Sequence, residues 1–161
     1  MDQDELIAHL RWVLERQLHW IGAADVKAGG MIGAYMALAA IAATLLDSAS
    51  PPATAKLLFI FAAIAMVPAL VCAVLVFFPR DASKRRSSIF FREIADLEID
   101  RFMDAARRQT TSQVIDDLLG QIHINAGIAS TKHDFAKHSI VFGAASLALW
   151  VLAVATFMVK S

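Results

Sequence analysis

The chain has 161 residues, enough for one domain or one domain with an appendage, which excludes a multi-domain enzyme. Hydrophobic residues make up 58% and charged residues 19%, against roughly 45–50% and 25% in soluble domains, so the apolar excess calls for a membrane. Fifteen Lys and Arg offset fifteen Asp and Glu, which removes bulk electrostatics as a basis for binding nucleic acid, and the single Cys72 leaves neither a disulfide framework nor a cysteine metal site.

Residues 1–27 read as an amphipathic helix, capped by Asp2 or Asp4 and carrying Ile7, Leu10, Leu14, Leu18 and Ile21 on one stripe. No proline occurs before Pro51, and glycines 22, 29 and 30 only weaken a helix, so this stalk is expected to continue into a first transmembrane helix at 28–46. That uncharged stretch is too long, and its leader too amphipathic, for a cleavable signal peptide. Residues 47–56 (DSASPPATAK) form a short turn in which Pro51 and Pro52 forbid helix continuation. A second span occupies 57–78, with Pro68 expected to kink it.

The segment 79–139 begins with a polar patch holding Lys84, Arg85 and Arg86, read as topogenic with contact to anionic lipid, or alternatively as a phosphate site. Ser87 or Ser88 is expected to cap one helix carrying Phe91, Ile94, Ala95, Phe102 and Ala105, with Arg92–Asp96 and Asp104–Arg108 paired on its outer side. Gln109 to Ser112 interrupts the pattern and supplies hydroxyl caps for a further helix with Ile115, Leu118, Ile122, Ala126 and Ala129. Nothing stops that helix before a third span at 140–159.

Ten of the fifteen Lys and Arg fall in 79–139, which places that segment and the N-terminus in the cytoplasm and 47–56 outside. The fold expected is therefore an all-α integral membrane protein: three transmembrane helices and a cytosolic helical bundle formed by their extensions. The bundle is thin, and its leftover Leu and Ile positions call for completion by a second copy, hence a homo-oligomer.

The spans carry no charge, which argues against a proton relay or a voltage sensor. Packing between them is expected through small residues: Gly29 with Gly33, Ala39 with Ala43, Ala62 with Met66, and Ala144 with Ala148, along with Gly143 and Ser146. Asp25 and Lys27 stand where the first helix meets the membrane. Either both snorkel to the interface beside Trp20, or they form a hinge or intersubunit contact that passes movement from stalk to span.

The chain lacks the phosphate-loop, nucleophile-elbow and zincin patterns. His133-Asp134 lacks partner ligands for a metal site, and an Asp134–His138 ion pair explains it more simply. Arg101, Arg107 and Arg108 can hold a phosphate while Phe90 or Phe91 stacks on a base, although Arg–Asp pairing along the helix accounts for the same residues.

Trp20 followed by Ala24-Asp25-Val26-Lys27-Ala28, a proline-containing second span, Phe90-Phe91 with Ile94, Asp117-Leu118 with Gln121-Ile122, and Lys132 shortly before the last span form a pattern that runs along nearly the whole chain. In these features the sequence resembles the small membrane effectors of the Pycsar antiphage systems, the PycTM type. The resemblance implies that a neighbouring pyrimidine cyclase makes cyclic UMP or cyclic CMP on infection. The effector then impairs the inner membrane, and the infected cell dies before phage are released. The absence of paired catalytic groups in the sequence points to a binding protein without cofactor, and an enzyme that turns over a nucleotide stands third behind an effector and a membrane adaptor. Phe91, Arg101, Arg107 and Arg108 are the ligand-binding candidates on chemical grounds, and Trp20, Asp25, Lys27 and Lys132 the candidates for coupling at the membrane interface. The competing reading is a membrane adaptor whose cytosolic helices recruit a partner protein.

Overall fold

A computed structural model describes residues 1–48, 51–78 and 87–160. The basic cluster Lys84, Arg85 and Arg86 lies outside the described residues. The chain is about 90% helical, and no strand occurs among the described residues. The helices are α1 (Gln3–Ser48), α2 (Ala53–Phe77), α3 (Phe91–Ala95), α4 (Ile99–Arg108) and α5 (Thr111–Lys160). Three of them, α1, α2 and α5, are long and apolar enough to cross a membrane. At 1.5 Å per residue α1 and α5 extend about 70 Å and 75 Å, more than twice a ~30 Å hydrocarbon layer.

Local chemistry sets the helix ends. Asp2 Oδ1 accepts the Glu5 amide at 2.7 Å and Glu5 Oε2 accepts the Asp2 amide at 3.2 Å, a reciprocal box that satisfies two amides at the start of α1. The same box recurs before α5, where Thr110 Oγ1 accepts from the Gln113 amide at 3.4 Å and Gln113 Oε1 accepts from the Thr110 amide at 2.9 Å. Pro52, extended at φ −60° and ψ 151°, stands at the N-cap of α2. Pro68 lies inside α2, which runs on through it.

One expected helix is two. The chain leaves α3 after Ala95, passes Asp96 to Glu98, and restarts as α4 from Glu98 in an extended conformation. Neither glycine nor proline stands at the break. At the end of α3 the Asp96 amide donates to the Arg92 carbonyl at 3.0 Å and the Leu97 amide to the Ile94 carbonyl at 3.3 Å, a tightened last turn that leaves the helix five residues long. Of the expected apolar stripe, Ile94 and Phe102 are half-buried, whereas Phe91, Ala95 and Ala105 are exposed.

The chain divides into two compact units, Met1–Gly22 with Pro79–Ser130 and Ala23–Phe78 with Thr131–Ser161. In the first, the buried core is small: Leu10, Leu118 and Ala129, joined by Ser87 and Gln121. In the second, α2 buries Ala55, Phe59, Ala62, Ala69, Ala73 and Val76, and half-buried Met66 completes alternating offsets of 4 and 3. The less exposed positions of α1 follow the same rhythm in this unit: Ala24, Ala28, Met31, Tyr35, Leu38, Ala42 and Leu45. An apolar repeat averaging 3.5 residues is the geometry of left-handed helix packing. In lipid, where apolar side chains gain little by leaving hydrocarbon, small residues on that seam let helices approach closely. Ala24, Ala28, Val76 and Ala136 form one such cluster, and Tyr35, Ala69 and Ala73 another.

Most of the small-residue pairs expected from spacing are not on this seam. Gly29, Gly33, Ala39, Ala43, Ala144 and Ala148 are exposed, and among those pairs only Ala62 with Met66 takes part in it. The physical reason is phase: those pairs sit on other faces of their helices than the 3.5-residue seam.

Candidate functional site

In the unit formed by 23–78 and 131–161, two distant charges meet. Lys132 Nζ donates to Asp25 Oδ1 at 2.5 Å; the lysine side chain is 9% exposed and the carboxylate 33%. Asp25 lies beside Ala24 and one turn before Ala28, and Lys132 one turn before Ala136, so the pair borders the apolar cluster of those alanines and Val76. Burying an ammonium group without a counter-charge is costly, and Asp25 supplies that charge.

Further along α5, polar side chains bind backbone on the other two helices of the unit. Tyr35 Oη donates to the Ser139 carbonyl at 2.8 Å and lies 3.1 Å from Ser139 Oγ. Ser139 Oγ donates to the Ala69 carbonyl at 2.8 Å, so one serine joins α1, α5 and α2. Ser146 Oγ donates to the Ala62 carbonyl at 2.8 Å, and Trp150 Nε1 to the Leu38 carbonyl at 3.3 Å. A Cβ on Gly143 would stand 2.7 Å from two ring carbons of Tyr35, so glycine is required where the ring crosses α5. Interhelical bonds of this kind are worth about 0.6 kcal/mol each on average in a membrane protein, so they fix register more than they supply stability.

In the unit formed by 1–22 and 79–130, the polar centre is the turn before α3. Ser87 Oγ accepts from the amides of Ile89 and Phe90, both at 3.2 Å, and the Ser87 amide donates to Glu93. Ser88 gives both its amide and its hydroxyl to Asp117 Oδ2 at 2.7 Å, and Gln109 Nε2 donates to Ser88 Oγ at 2.9 Å. Neither serine is an N-cap: that position belongs to Phe90, without a side-chain cap. The reason is that both hydroxyls are committed to the turn and to Asp117.

Phe90 and Phe91 pack ring on ring at 5.0 Å, and Phe91 is 66% exposed. Arg101, Arg107 and Arg108 are exposed on α4. Arg101 and Arg108, seven residues apart, share a face with Asp104, which lies 3.9 Å from Arg108. Among the coupling candidates, the structure brings Asp25 and Lys132 together. Lys27 is exposed, and Trp20 lies under the Arg16 guanidinium, 5.8 Å from the ring centroid. The expected Asp134–His138 ion pair is replaced by a contact of 2.7 Å between His138 Nδ1 and the Asp134 carbonyl, because the ring folds back along its own helix. Among the described residues no three His, Cys, Asp or Glu stand close enough to hold a metal ion.

Sequence reasoning singled out Gly143 and Ser146 as interface residues, and both are buried there, but not Tyr35 or Ser139. A usable signal existed, in that Tyr35 is the only tyrosine and lies within a span.

No curated protein and no solved structure matches the chain. Residues 9–159 match the family model of the Pycsar effector protein domain, PycTM, a range that takes in α2, α3 and α4 entirely and nearly all of α1 and α5. With three helices fit to cross a bilayer and a match over almost its full length, the chain is a membrane protein that belongs to the Pycsar effector family, the effectors of an antiphage cyclic-nucleotide signalling system.

Proposed function

We propose that the protein senses a cyclic pyrimidine mononucleotide, cUMP or cCMP, made by a neighbouring cyclase, and responds by impairing the inner membrane so that infection is abortive. The observation that carries this reading is the family match over residues 9–159. The N-terminus and the segment 79–139 face the cytoplasm in this account, supported by ten of fifteen basic residues lying in that segment. The nucleotide phosphate is taken by Arg101 and Arg108 on their shared face of α4, with Arg107 assisting, and Phe91 offers its exposed ring to the base. No catalytic group or cofactor is involved.

The Asp25–Lys132 pair joins α1 to α5 at the start of the spans and couples sensing to the membrane. Trp20 and Lys27 anchor the same stretch at the interface. Moving a two-state population from 1:99 to 99:1 takes roughly 5.5 kcal/mol of differential affinity, more than one phosphate contact supplies, so several copies each bind a nucleotide. Homo-oligomerisation is supported by the small core of the first unit and by the exposure of Ile99 (69%) and Phe91 on it.

Co-expression with the cyclase tests the reading. Cells carrying both proteins should stop growing when the cyclase is activated, and Arg101→Ala combined with Arg108→Ala should abolish that toxicity while leaving membrane levels unchanged. Harmless co-expression, with a partner protein retained on the membrane, would replace this reading with the adaptor.

A further inference from the structure

Between α1 and α2, beside Trp150 of α5, lies a cavity of about 270 Å³. All its lining residues are apolar or aromatic, among them Ala42, Ala43, Leu46, Ile60, Ala63 and Trp150. The one side-chain N–H among the lining residues, the Trp150 indole, is already given to the Leu38 carbonyl at 3.3 Å. A water inside would find none of the two to four protein partners it needs, so the walls suit an apolar occupant.

We infer that this cavity is a binding site for a hydrocarbon chain of a membrane lipid. The exposure of the lining selects that occupant. Leu46 and Ile60 line the cavity and are also 40% and 55% exposed, so the cavity is continuous with the surface that two spans present to the bilayer. An acyl chain entering from that side makes the contacts that the small side chains of alanines 42, 43 and 63 leave unmade. Their small side chains make the space, and the Phe59 ring, packed edge-on against Trp150 at 6.3 Å, keeps the indole in place beside it. This site depends on the membrane location of the chain and not on nucleotide sensing.

Trp150 itself is the reporter. Trp12→Phe with Trp20→Phe leaves it as the sole tryptophan, and the full-length protein is reconstituted into phosphatidylcholine vesicles whose acyl chains carry bromine, a contact quencher of indole fluorescence. Strong quenching of Trp150 is expected, with a clear loss on Ala42→Leu and on Ala63→Leu, each of which fills the cavity. A reference tryptophan at the exposed position 151 (Val151→Trp with Trp150→Phe) should stay equally quenched in all backgrounds. Ala63 is exposed at the cavity rim, so Ala63→Leu decides the matter even if Ala42→Leu does not fold, as judged by its helical circular dichroism. Trp150 quenching that is unchanged by Ala63→Leu, or that falls only in step with the reference at 151, would overturn the proposal. So would weak quenching of Trp150 together with a disulfide between Ala43→Cys copies, which would assign the cavity to a second subunit.

Discussion

Asp25 and Lys132 are 107 residues apart and meet at 2.5 Å, yet they are unequally buried. That asymmetry predicts unequal costs. Asp25→Asn strands an almost fully buried ammonium and should lower stability by roughly 3 kcal/mol, at the lower end for a broken buried pair because water reaches the carboxylate side. Lys132→Met leaves only a one-third exposed carboxylate and should cost less, and the double variant should recover most of the loss. Thermal unfolding of the four proteins in detergent measures this; Asp25→Asn melting with the wild type would remove the pair from the account. Gly143 makes a second residue-scale case, because the Tyr35 ring is tethered to Ser139 and cannot swing aside. Gly143→Ala should destabilise by about 1–3 kcal/mol, the usual range for overpacking, and by much less in a Tyr35→Ala background. The sequence shows Asp25 and Lys132 as charges near span ends, but their partnership needs the fold, since no spacing rule reaches from α1 to α5.

Among the elements, the long helices were legible and the short ones were not. α1 and α5 run unbroken because no proline falls between Gln3 and Ser48 or between Thr111 and Lys160, and their starts carry acceptor side chains three residues ahead of Glu or Gln. The break between α3 and α4 has no such mark. What is held by distant side chains is the turn that leads into α3: Asp117 and Gln109 hold Ser88, and Glu93 turns back to Ser87. Asp117→Ala removes a charged acceptor that takes both Ser88 donors, a loss of about 1.5–3 kcal/mol for bonds of this class. Hydrogen exchange at residues 87–95 should accelerate in that variant while α4 and α5 keep their protection; unchanged exchange would show that the turn is held by something else. Small-residue pairs misled for a related reason. Spacing finds every face with small residues, whereas the packed seam is the one whose phase also brings Tyr35, Ser139 and Ser146 onto backbone carbonyls or each other.

Taken as a whole molecule, the protein joins two kinds of material. Residues 23–78 and 131–161 pack as three antiparallel-capable spans around alanine seams, and residues 1–22 and 87–130 expose charged and apolar side chains over a small core. Composition made the first legible, because lipid demands long uncharged helices. The ligand site was not legible in the same way: arginines on an exposed helix serve solvent, partner or nucleotide equally well in sequence. In the proposed function a cyclic pyrimidine nucleotide makes this protein breach a bilayer. Purified protein in vesicles loaded with a self-quenched dye tests it directly. Adding cUMP or cCMP should release the dye, at a rate that rises steeply with protein density and is lost with Arg101→Ala and Arg108→Ala together. Vesicles that stay sealed with every cyclic nucleotide, at every protein density, would contradict it.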